Sequence, residues 1–172
     1  MKKTLIALCL LLGCLTATQA QKFALIDMEY LLKNIPAFET ANEQLNQISR
    51  RWQTEIDNRH EEVQNMYKNY QTEAVFLSDE MKRRREAEIV EAEKALQELR
   101  RRYFGADGEL FRKRESLLRP IQDEIYNAVK DISDSKGYQL ILDRASGANI
   151  IFASPRIDIS DEVLQRLGYG RR

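Results

Sequence analysis

Residues 36–80 read PAFETANEQLNQISRRWQTEIDNRHEEVQNMYKNYQTEAVFLSDE. Their apolar side chains recur at Phe38, Ala41, Leu45, Ile48, Trp52, Ile56, Val63, Met66, Tyr70, Ala74 and Leu77. Steps of three and four alternate, which is the narrow seam of a coiled coil rather than the broad face of a globular helix. Leu77-Ser78-Asp79 breaks the pattern; Ser78 is a good N-cap, and Asp79 and Glu80 suit the positive end of a new helix. A second seam then runs through Met81, Ile89, Ala92, Leu96, Leu99, Tyr103, Ala106, Leu110, Leu117, Ile121, Ile125, Ala128 and Ile132. Folding about the breaker sets Leu45 opposite Leu110, Trp52 opposite Tyr103, Ile56 opposite Leu99, Val63 opposite Ala92 and Met66 opposite Ile89. Two seams that match in antiparallel register specify a long αα-hairpin.

The outgoing arm, ending near Phe76, spans roughly 60 Å at the usual rise per residue. The return arm carries two interruptions, Gly105-Ala106-Asp107-Gly108 and Pro120. Helical glycine costs about 1 kcal/mol and interior proline about 3, so a bend or break is expected at each. The glycines either make room for Trp52, Tyr103 and Phe104 or form a hinge.

The strand signals lie at the two ends of this hairpin. Phe23-Ala24-Leu25-Ile26-Asp27 is a short apolar run, and Pro36 biases Ile35 away from helix. After Gly137, a helix C-cap, Tyr138–Asp143 reads as a strand, 145–148 as a turn, and Asn149–Ala153 as the returning strand of a hairpin. Ser160-Asp161-Glu162 caps a last short helix. The expected fold is mainly α: a long antiparallel αα-hairpin coiled coil inserted between an N-terminal strand and a C-terminal β-hairpin. The expected units are 1–20, a leader; 21–35 with 137–172, a β association body; and 36–136, the arm. Three short strands make a marginal sheet with open edges, most simply closed by identical subunits sharing one core. Phe23, Leu25, Leu140, Leu142, Ile150 and Phe152 are the residues expected to carry that association.

Lys2 and Lys3, the apolar run Leu5–Leu15 and Ala17-Thr18-Gln19-Ala20 form a secretory signal pattern, with cleavage expected after Ala20. Leu11-Leu12-Gly13-Cys14 competes as a lipobox that would acylate Cys14. Cleavage after Ala20 would leave 25 basic against 27 acidic residues and remove both cysteines, Cys9 and Cys14. Such a chain enters an oxidising compartment with no thiol and no disulfide.

The residues give little support to catalysis. His60, the one histidine, lies on the charged arm; paired helix carboxylates without a pocket are a solubility feature; and no His/Cys cluster suits zinc. Gly105-x-x-Gly108 lacks the strand–loop–helix setting of a phosphate cradle. No cofactor is expected. The basic runs Lys82-Arg83-Arg84-Arg85, Arg100-Arg101-Arg102 and Arg112-Lys113-Arg114 come without an aromatic platform, so nucleic acid is a poor fit. They read as solvated faces with partners such as Arg84–Glu88 and Glu98–Arg102, the tip run offering weak contact to an anionic membrane or acidic client.

Several stretches are similar to the Skp/OmpH periplasmic chaperones: Ala24-Leu25-Ile26-Asp27-Met28, the charged hairpin, Lys136-Gly137-Tyr138-Gln139-Leu140-Ile141-Leu142-Asp143 and Ile157-Asp158-Ile159-Ser160-Asp161-Glu162-Val163-Leu164. The resemblance implies a homotrimer whose β body carries three helical tentacles around a cavity. Unfolded outer-membrane proteins would be held there without ATP in the periplasm. Off-seam aromatics Tyr67, Phe76, Phe104 and Phe111 are the candidate client contacts, the bland reading being that they widen the hairpin core. The competing function is a structural coiled-coil adaptor of the cell envelope, lipid-anchored through Cys14.

Overall fold

A computed structural model describes residues 21–147 and 150–170; the leader and Cys14 therefore lie outside the described residues. The chain opens with β1 (Lys22–Ile26) and a short helix α1 (Met28–Lys33). Asp27 caps α1, its carboxylate accepting the Tyr30 amide at 2.8 Å. Ile35 is extended and Pro36 occupies the first turn of α2 (Pro36–Glu73), where its missing N–H costs nothing.

At 38 residues, α2 is about 57 Å long. A 3-10 turn (Ala74–Phe76) and extended Leu77 reverse the chain, and the Ser78 hydroxyl accepts the Met81 amide to start α3 (Asp79–Phe104). Trp52 stacks on Tyr103 at 4.6 Å with 5° between ring planes, as the antiparallel register requires. Ile56, Val63, Leu96 and Tyr103 form the buried centre of the arm, with Trp52, Ala92 and Leu99 packed against them. Two helices cannot enclose much more, and most of the remaining surface is charged and wet.

The helix stops at Phe104 and restarts as α4 (Glu109–Lys136), so the glycine interruption is a true break. Pro120 is not: α4 runs through it unbroken. The expected break fails to form because Ser116, whose carbonyl loses its donor, and Pro120 itself both lie on the exposed face. Water can satisfy that carbonyl there, while buried Ile121 and Ile125 hold the helix to the core.

Gly137 ends α4 in the left-handed conformation (φ 70°) and releases the chain into β2 (Tyr138–Asp143). β2 pairs with β1 in parallel, the whole arm serving as the crossover that a parallel pair demands. Further on, Leu25 bridges Asp158, and the Ile159 amide donates to the Leu25 carbonyl at 2.9 Å, placing β1 in the middle. A last helix, α5 (Ser160–Arg166), covers the inner face with Val163 and Leu164. One apolar cluster runs from Ala24 and Ile26 through Leu31 and Ile35 into Ala41, Ile121, Ile125 and Ile132, so the feet of the arm are part of the body's core.

The mainly α architecture is as expected, with one correction inside it. The returning strand of the C-terminal hairpin is absent over 150–153; position 149 lies outside the described residues. The chain turns away after Asp143 through 144–147 rather than folding back on β2. Strand propensity without a backbone partner does not make a strand, and Ile151 and Phe152 are left 97% and 85% exposed.

Candidate functional site

The parallel register puts Phe23 beside Leu140 and Leu25 beside Leu142 on one face, with Ala24 beside Ile141 on the other. The second face sits on the core. On the first, Phe23, Leu140 and Leu142 remain between 41% and 49% exposed, and exposed Phe152 belongs to the same end of the molecule. Burying one such side chain fully is worth about 1.5–3 kcal/mol, so this face is a substantial unsatisfied apolar demand of the body. Leu25 needs a correction: it is only 6% exposed, because its strand lies between β2 and Asp158 of its own chain. Ile150 is half-buried.

A polar clasp fixes the strand ends. Arg144 reaches Asp27 at 2.9 Å and Asp158 at 3.2 Å. Asp143 accepts the Met28 amide at 3.0 Å and the Ala145 amide at 2.9 Å, while the Ser160 hydroxyl accepts the Asp27 amide at 2.9 Å. The hydrogen bond from the Tyr30 amide, with Arg144 behind it, holds the Asp27 carboxyl below the usual carboxylate range. The clasp welds both feet of the arm into one platform.

Along the arm the four candidate aromatics divide. Tyr67 spans the hairpin, its hydroxyl donating to Glu93 at 3.1 Å, and Tyr70 makes a parallel contact with Glu86. Phe76 stands at the tip, 87% exposed, beside exposed Val75 and Met81. Phe104 and Phe111 are brought together across the helix break. With Gly105, Ala106, Leu110 and Arg114 they line a hollow of about 190 Å³.

The break is sterically fixed. A Cβ on Gly108 would lie 2.9 Å from the Gly105 nitrogen and the Tyr103 carbonyl oxygen, and one on Gly105 would lie 2.4 Å from the Arg101 carbonyl oxygen. Trp52 lies flat on Tyr103 and edge-on to Phe104, and Arg102 ties the two helices to each other through Glu109 at 3.5 Å. The glycines thus serve close packing, and the unbroken α2 alongside splints the junction.

Sequence reasoning missed a second depression of about 430 Å³ between α2 and α3. Its floor is Val63, Met66, Ala92, Ala95, Leu96 and Leu99, and its rim includes Arg59 and Glu62. All but Ala95 read as seam residues; the signal was the pair of small side chains, Ala92 on the seam and Ala95 beside it, which leave space there.

The basic tip run is largely neutralised. Arg84 pairs with Glu88 as expected, Arg85 with Glu73 and Glu88, and Lys82 approaches Asp79 at 4.0 Å. Arg102 turns to Glu109 rather than Glu98. Such exposed pairs contribute a few tenths of a kcal/mol. His60 contacts Gln64 on the exposed arm. Among the described residues no cluster of His, Cys, Asp and Glu is placed to hold a metal ion, and no helix is long and apolar enough to cross a membrane.

Comparison with known proteins agrees with this architecture. The family described as outer membrane protein (OmpH-like) matches residues 22–167. The chaperone protein Skp of Yersinia enterocolitica is 26% identical over 177 residues, covering 97% of this chain and 99% of that protein. A crystal structure from Caulobacter crescentus, of an OmpH-like outer membrane chaperone, superposes with a TM-score of 0.69 at 14% identity, covering 88% of this chain and 86% of the other. The family match begins at β1 and ends just past α5, so both strands, the entire arm and the clasp are inside it: this chain belongs to the OmpH-like family of outer membrane chaperones.

Proposed function

We propose that this protein is an ATP-independent periplasmic holdase. It keeps unfolded outer-membrane proteins from aggregating on their way to the outer membrane, and it works as a homotrimer. The observation that carries the reading is the uncovered face of Phe23, Leu140 and Leu142, together with the exposure of Ile151 and Phe152 in the same C-terminal segment as β2. A body of this size has no reason to leave that much apolar surface to water unless copies of itself close over it. Residues 21–35 and 137–172 are then the association body, and 36–136 is an arm projecting from it.

Three such arms would surround a space lined by charge and scattered aromatics. A guest gripped weakly at many points is held well, because each further contact is made at high effective concentration. Nothing in that scheme consumes a nucleotide or moves a proton. The test is dilution of a urea-unfolded β-barrel protein into buffer with the chain from Gln21 onward. Light scattering should be suppressed at close to one oligomer per client, and native mass should read three subunits. A monodisperse monomer, or an oligomer that leaves aggregation unchanged, overturns the proposal; an envelope adaptor would give the second result.

A further inference from the structure

We propose that the hollow at the α3–α4 break is a docking point for one kind of client segment: an aromatic or large apolar side chain flanked by carboxylates. The proposal rests on the holdase reading and names what that arm prefers to grip. Three observations support it. First, the hollow is built rather than left over. Glycine is required at both ends of 105–108, and the interruption brings Phe104 from the last turn of one helix against Leu110 and Phe111 from the first turn of the next. In an uninterrupted helix, 104 and 111 would stack on one convex face with no concavity between them. Phe104 and Phe111 both stay substantially exposed, so the cup is open.

Second, the charge around it is net positive, with Asp107, Glu109 and Glu115 as the acidic minority. Residues 100–116 carry six basic residues and three acidic ones in a chain whose formal net charge is zero. At the tip, Lys82, Arg84 and Arg85 each have an acidic partner and Arg83 has none among the described residues. Here Arg114, which lines the hollow, and Arg101, whose side chain lies against Gly105, make no ion pair among the described residues. An apolar cup beside uncommitted guanidinium groups complements an aromatic ring with carboxylates on either side.

Third, the position disfavours a lipid surface. The break lies opposite Trp52, about 35 Å from the tip at 1.5 Å per residue. A flat bilayer meets the tip first, whereas a chain threaded between arms meets their middle.

The probe is a short labelled unstructured peptide of Phe, Ser and Asp, with a matched peptide carrying Lys for Asp, titrated against the full chain from Gln21. The acidic peptide should bind at least about tenfold more tightly at low salt, with the advantage shrinking as salt rises. Phe104→Ser with Phe111→Ser should abolish most of that binding, and Arg114→Glu should erase most of the preference. Both changes lie on exposed surface, and circular dichroism checks that the helices persist. Equal binding of the two peptides, or unchanged binding by the double variant, overturns the proposal. So does binding of anionic phospholipid vesicles that the double variant loses while peptide binding is absent. If the parent discriminates the peptides yet fails to keep an unfolded β-barrel soluble, the hollow stands and the holdase reading falls.

Discussion

Arg144 is the residue on which the platform turns. It bridges carboxylates from the two segments flanking it, Asp27 after β1 and Asp158 before α5. Arg144→Ala should lower the urea unfolding midpoint only slightly, because the side chain is half exposed and its ion pairs are screened by water. The pH dependence has a definite sign. Asp27 is held below its ordinary carboxylate value in the folded protein, so its contribution is complete above the unfolded pKa near 3.8 and is lost as pH falls through the lower folded pKa. Asp27→Asn should therefore flatten the fall in unfolding midpoint below about pH 4 and leave its pH dependence above 5 unchanged. The glycines separate in the same way. Gly108→Ala forces a Cβ against backbone on three sides and should cost about 2 kcal/mol or more, whereas Gly137→Ala meets open space and should cost only about 1 kcal/mol for its left-handed backbone. Equal costs would mean the break relaxes freely.

Among the elements, the arm was readable from sequence because its information is local and periodic. A seam with the wrong register would have had to misplace Trp52 and Tyr103, and they stack. Ser78 as a cap and Gly137 as a stop were equally local. What sequence could not supply was context. Pro120 predicts a break on propensity, but the cost depends on whether water reaches the orphaned carbonyl, which only the packed structure decides. Pro120→Ala, which restores that donor, should raise stability by about 1 kcal/mol or more, read as a higher urea midpoint. The strand signal at 150–153 failed for a related reason: a strand needs a ladder, and this segment does not fold back onto β2. Leu25 alternates correctly with Phe23, yet the bridge to Asp158 from a distant segment covers it. The hollow, too, was half legible. Phe104 and Phe111 stood out as off-seam aromatics, but that the glycines bring them together follows from steric contacts no periodicity encodes.

For the whole molecule the decisive surface is the outer face of the β1–β2 pair. Leu140→Glu with Leu142→Glu should convert the oligomer to monomer in native mass measurement while the arm keeps its helicity, since Ile56, Val63 and Leu96 pack without help from the body. Client holding should fall by more than the loss of any one arm contact, because multivalent grip disappears with the oligomer. An unchanged mass would place the subunit contact elsewhere and leave that face unexplained. The parallel pairing of Phe23 with Leu140 also governs when the protein becomes competent. Contacts between residues so remote in the chain form slowly and late, and here the second partner emerges only after the whole limb has been made. A polypeptide terminated before residue 138 lacks β2 and with it the parallel partner of Phe23.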